Sequence, residues 1–126
     1  MKTFYLRELA HARAGDKGDT NNIGVIAYEA HYYPLILRSI TPERVHEHFR
    51  GIVKGRITRY ELPRVHAINL VMEGALGGGV TRSLSLDPHG KSYSALILTM
   101  PVEVTEDIAA ELMLKGRQPI ARKIEE

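Results

Sequence analysis

The chain has 126 residues, 44% of them hydrophobic and 25% charged, a formal net charge of +2 and no cysteine. That length suits one domain with its own core, and the composition excludes a disordered or fibrous protein. It also excludes a disulfide framework and thiolate chemistry, and with no run of Lys and Arg it offers no electrostatic footprint for nucleic acid. The start MKTFYLREL carries charges where a signal peptide would be apolar, and no segment approaches the length of a membrane span. A soluble, cytoplasmic protein that binds neither nucleic acid nor membrane is expected.

In chain order, TFYLREL predicts a first strand at about 3–10. AGDKGDTNNIG, residues 14–24, reads as a polar loop, and the apolar run IGVIAY that overlaps its end reads as a buried strand. EAHYYPLILRSI predicts a helix with Pro34 in its first turn. Thr41, Pro42 and Glu43 then form a helix start, with Val45, Phe49 and Ile52 on its buried face and Gly51 and Gly55 ending it. RITRYEL, 56–62, alternates as a strand closed by Pro63. Over 64–76, Val65, Ile68, Met72 and Leu76 recur at helical spacing and predict a buried helix stopped by Gly77, Gly78 and Gly79. TRSLSL and SYSALILTM read as two strands joined by a turn at 87–91. Thr105 caps a last helix from 106 to about 115, ended by Gly116, and the tail from Arg117 is expected to be loose or an oligomer arm.

About five strands with three or four helices predict an α+β fold, a ferredoxin-like sandwich with a mostly antiparallel sheet and helices packed on one face. The main domain is expected to span residues 1–104. The C-terminal helix and tail, 105–126, then pack on it or on a partner.

Two glycine-rich stretches carry the polar chemistry. In AGDKGDTNNIG, Gly15 and Gly18 let a bound group approach the main chain, and Lys17 adds a positive charge. Asp16 and Asp19 argue against a phosphate cradle, and the P-loop spacing is absent. Either the stretch is a turn whose Asp and Asn satisfy themselves, or it holds a ligand. In EGALGGGVTRSLSL, the three glycines exceed what a helix end requires, and Arg82 could fork onto a carboxylate or phosphate or simply face solvent. His66, Asn69 and Glu73 fall at i, i+3 and i+7 of the expected helix and could face one pocket. His46 and His48, two apart in a helix, make a poor metal pair. No metal site and no cofactor are called for, and no nucleophile stands beside a base.

The stretches LRELAHARAGDKGDTNNIGVIA and RYELPRVHAINLVMEGALGGGVTRSLSLD, with YYP, TPERV and PHGK, resemble the small C-terminal domain of the acyclic terpene utilization protein AtuA family. The motifs ARxGDKGxTxNIGVIA and HAxN…ALGGGxTRSLxLD carry that resemblance over roughly residues 5–100. It implies a ferredoxin-like domain, which the family also encodes as a free-standing polypeptide, associated with degradation of terpene alcohols through acyl-CoA intermediates. The family pattern falls on Arg13, Gly15, Asp16, Lys17, Gly18, Asn22, His66, Asn69, Gly77, Gly78, Gly79, Thr81 and Arg82, whereas Asp19 departs from it.

The function so implied is an accessory subunit that completes a site for an acyl-CoA or short carboxylic acid with a large AtuA-type partner or in a homo-oligomer. Alternatives are a hydratase, isomerase or lyase with His66 as general base, and a purely structural oligomerisation domain.

Overall fold

The computed structural model describes residues 1–17, 20–74 and 91–121. Two antiparallel sheets form. Strand β1 (Lys2–Tyr5) pairs with β6 (Pro101–Val104), and β2 (Ala10–Lys17), β3 (Thr20–Ala27), β5 (Ala67–Met72) and β4 (Ile57–Leu62) lie in that order in a four-stranded sheet. Helices α1 (Tyr33–Ser39) and α2 (Pro42–His48) bridge β3 to β4, α3 (Lys91–Ile97) precedes β6, and α4 (Glu106–Leu114) follows it. The α+β architecture with antiparallel pairing throughout is the one expected.

The helices gather on one side of the larger sheet because its strands alternate. Ile23 and Val25 of β3 stand opposite Leu70 and Ile68 of β5, all fully buried, and join Ile36, Val45, Phe49, Tyr93 and Leu112 in one core. The Tyr93 ring meets Phe49 edge-on, with centroids 5.7 Å apart. Thr41 caps α2 as its sequence predicts, its Oγ1 accepting the Arg44 N–H at 3.2 Å. Gly116, at φ +85°, follows α4.

Five expectations need correction. The strand placed at 3–10 is β1, a 3-10 turn over Leu6–Glu8, and then β2. AGDKGDTNNIG is mostly two hydrogen-bonded arms: Gly15 pairs with Asn22, Asp16 with Asn21 and Lys17 with Thr20, with Gly18 and Asp19 outside the described residues. Polar side chains are compatible with paired strands when one face of an antiparallel sheet meets water.

The helix expected over 64–76 is instead a 3-10 turn over Pro63–Val65 leading into β5. Ile68, Leu70 and Met72 are buried while Asn69 and Val71 are only half-buried, so the period is two, and the helical spacing of Val65, Ile68 and Met72 was coincidental. SYSALILTM is not a strand: Lys91–Ile97 is helical, and Tyr93, Ile97 and Met100 supply the buried positions at i, i+4 and i+7. The first arm of that expected hairpin lies outside the described residues.

Nor is the start of the tail loose. The Ile120 N–H donates to the Thr3 carbonyl at 2.8 Å, and Arg117 reaches Glu8 at 3.2 Å.

Helix α4 is also anchored by a polar cluster. The hydroxyl of the buried Tyr32 donates to Glu111 at 2.8 Å, His31 reaches the same carboxylate at 2.8 Å, and Lys115 donates to the Tyr32 oxygen at 3.2 Å. These contacts, the Tyr32 hydrogen bond foremost, hold the Glu111 carboxyl below its ordinary range, and burial raises the Tyr32 phenol. A depressed carboxyl pKa stabilises the fold above the unfolded-state value and loses that contribution as pH falls through the folded-state value. Glu111→Gln is therefore expected to unfold at lower temperature than wild type at pH 7, with the gap closing as both are titrated below about pH 4. Melting curves across that range check it.

Candidate functional site on the open sheet face

The side of the four-stranded sheet away from the helices carries no covering element among the described residues. The register sets its rows: Arg13 of β2, Gly24 of β3, Asn69 of β5 and Tyr60 of β4 run across the sheet, flanked by Gly15, Asn22, Val71 and Thr58 on one side and His11, Ile26, Ala67 and Leu62 on the other. Strand alternation thus puts Arg13, Gly15, Asn22 and Asn69 on one surface.

The surface has distinct chemistry along its length. Asn22 Nδ2 donates to Asn69 Oδ1 at 3.3 Å, so the two amides form a polar pair in the middle. Arg13 is exposed and makes no hydrogen bond or ion pair with any described residue. Tyr60, Leu62 and Val65 are 55%, 46% and 58% exposed, which gives the β4 side an apolar border.

Gly15 and Gly24 hold this surface flat for different reasons. A Cβ on Gly15 would lie 2.9 Å from Asn22 Oδ1, so the amide pair depends on that glycine. Gly15→Ala is expected to displace Asn22 and shift its side-chain amide resonances while changing stability by less than about 1 kcal/mol, since only the end of a solvated side chain must move. A Cβ on Gly24 would meet nothing within 4 Å. No packing among the described residues requires glycine there, although glycine inside a strand costs about 0.5–1 kcal/mol relative to alanine. A glycine so placed commonly marks the close approach of a ligand or another backbone.

The other predicted residues separate from this surface or lie beyond description. Asp16 and Lys17 are described as backbone of β2 alone, while Gly18, Gly77, Gly78, Gly79, Thr81 and Arg82 are outside the described residues. His66 precedes β5 in the left-handed conformation, at φ 54° and ψ 48°, and its carbonyl accepts the Ala27 N–H at 3.0 Å. Its ring lies edge-on to Tyr33, centroids 6.0 Å apart. His66 and Glu73 flank β5 at opposite ends, about 20 Å apart for a strand of this length. The shared helical flank that grouped His66, Asn69 and Glu73 therefore does not exist.

Gly24 and Tyr60 went unnoticed in the sequence. The signal for Gly24 was available, a glycine interrupting the β-branched run of β3; Tyr60 had none, since only the register of β4 places it beside Asn69.

A family model described as the AtuA ferredoxin-like domain matches residues 4–103. The chain belongs to that family. The resemblance drawn from its motifs thus holds over most of the AtuA ferredoxin-like domain, including every residue of the open face. Comparison with curated proteins and with solved structures gave no match. Among the described residues of this AtuA ferredoxin-like domain, no three His, Asp or Glu side chains are arranged to hold a metal ion, and no helix is long and apolar enough to cross a membrane.

Proposed function

We propose that this domain is an accessory subunit whose open sheet face docks on a large AtuA-type subunit and completes a site for an acyl-CoA or short carboxylic acid. The observation that carries this reading is Gly24. It keeps the centre of a central strand bare where no described residue packs against it, between Arg13, which has no partner among the described residues, and the Asn22–Asn69 amide pair. A backbone or the edge of a flat ligand can reach the sheet there and nowhere else along that row, because the neighbouring positions carry side chains. The exposed Arg13 supplies the charge to fork onto an anionic group. The exposed Tyr60, Leu62 and Val65 supply apolar area for the protein contact, in keeping with the aromatic enrichment of interfaces.

Among its described residues the face holds no adjacent base and nucleophile, which favours completion of a site in trans over self-contained catalysis. The reading also agrees with membership in a family named for a ferredoxin-like part of AtuA.

Two variants test it. Gly24→Val is expected to melt at the same temperature as wild type or higher, since it adds β-propensity in open space, yet to lose co-elution with a co-expressed large subunit. Arg13→Ala is expected to keep co-elution but to lose the thermal stabilisation that acyl-CoA or a short carboxylate gives the complex. Failure of the wild-type chain to co-elute with the large subunit overturns the proposal.

A further inference from the structure

A second feature is independent of the open face. A cleft of 520 Å³ separates α2 from the β1–β6 ribbon, within the range of roughly 300–1,000 Å³ usual for small-molecule sites. Arg44 and His48, one helical turn apart, line the α2 wall with Glu47. Thr3 and Glu103, register partners in the ribbon, line the opposite wall, and Met100 and Pro101 give it apolar surface.

Two of the three charges that line this cleft are not paired by any described residue. Glu47 is engaged by Arg50 Nη1 at 2.8 Å. The Arg44 guanidinium and the Glu103 carboxylate have no hydrogen-bond or ion-pair partner among the described residues, and they do not reach each other. Only main-chain atoms of these two residues are engaged: the Arg44 N–H donates to Thr41, and the Glu103 carbonyl accepts from Arg38.

His48 has a defined tautomer. Its Nε2 lies 3.0 Å from the Leu96 carbonyl oxygen and 2.9 Å from Thr99 Oγ1, whose own proton goes to the Leu96 carbonyl at 2.7 Å. A carbonyl oxygen can only accept, so Nε2 carries a proton, and the tautomer with this proton has its lone pair on Nδ1. The cleft therefore offers one cationic fork, one free carboxylate and one imidazole acceptor, beside apolar surface.

These groups select a ligand by exclusion. A simple carboxylate would satisfy Arg44 but bring like charge towards Glu103; a simple amine would satisfy Glu103 but bring like charge towards Arg44. A molecule with both groups a few bonds apart satisfies every one. We propose that the cleft binds small zwitterions of the α-amino acid class. The carboxylate meets Arg44, the ammonium donates to Glu103 and His48 Nδ1, and the side chain rests on Met100 and Pro101.

The test is an amide-resonance titration of the full chain with glycine, L-alanine and L-leucine, run beside acetate and ethylammonium as half-ligands. Saturable shifts centred on residues 44–48 and 100–103 are expected for an amino acid, with a dissociation constant at or below about 1 mM, and clearly weaker binding for both half-ligands. Arg44→Gln and Glu103→Gln, both at exposed side chains that leave the fold intact, are each expected to weaken binding about tenfold through loss of one charge-assisted contact. No saturable shift with any amino acid overturns the proposal. So does acetate binding as tightly as the amino acids with Glu103→Gln making no difference.

Discussion

Replacing Gly55 with alanine is expected to cost this domain about 2–3 kcal/mol, the upper part of the range for forcing an extra group into a packed site. Gly55 lies in the loop from α2 to β4, and a Cβ there would stand 2.3 Å from the Glu73 carbonyl oxygen and 2.8 Å from its carbonyl carbon. Neither atom can retreat cheaply. The Glu73 N–H donates to the Arg56 carbonyl at 2.9 Å, and the next pair, Ile57 and Met72, begins the β4–β5 ladder. Relief therefore means opening the end of the pair between the edge strand β4 and β5 or shifting the loop away from the core. For a chain of this size the loss corresponds to a fall in melting temperature of order 10 °C. Gly51→Ala is the control. Gly51 has φ +86° with nothing near its Cβ, so alanine there meets only backbone strain, about 1 kcal/mol. Denaturant unfolding of both variants checks the ranking; equal stabilities would mean that the Glu73 backbone yields freely.

A gain is expected from Asn21→Leu. Asn21 stands on the core side of β3 in the same alternation as Ile23 and Val25, fully buried, and neither Nδ2 nor Oδ1 has a hydrogen-bond partner among the described residues. A buried amide left unpaired costs about 1–3 kcal/mol of desolvation, and an apolar residue of similar size removes that cost while adding apolar burial. Asn21→Leu is therefore expected to be about 1–2 kcal/mol more stable than wild type, read as a rise in melting temperature of several degrees. A clear loss of stability would show instead that the amide is satisfied in solution. The backbone neighbours of Asn21 in the sheet are Asp16 and Met72, so either result bears on the polar end of the β2–β3 hairpin.

Both predictions concern segments whose sequences were ambiguous, and the ambiguity has physical origins. Helices α1, α2 and α4 were legible because their signals are local: Pro34 in a first turn, Thr41 as an N-cap, Thr105 before Glu106 and Asp107, Gly116 after the last turn. Strand β5 was not. Buried among neighbours, VHAINLVM contains apolar residues at both helical and alternate spacing, and neither Pro63 nor His66 in the left-handed region could arbitrate before the turn from β4 was seen. SYSALILTM failed in the opposite sense. Its serines alternate like a solvated strand face, while Tyr93, Ile97 and Met100 carry the helical stripe that the core selects.

By itself the sequence determined the α+β class, helices α1, α2 and α4, the family and the candidate positions Arg13, Gly15, Asn22 and Asn69, because helix-end residues, glycines and motifs are properties of short segments; of the two expected threonine caps, only Thr41 accepts a capping hydrogen bond, while the Thr105 hydroxyl donates to Asp107. Tertiary structure alone decided that these positions form one surface. Arg13 and Asn69 are 56 positions apart in the chain and become near neighbours only through the order β2-β3-β5-β4 and its register. A slip of one residue in either pairing would turn half of them toward the core, so the open face around Gly24 is a consequence of long-range strand pairing that no local pattern can specify.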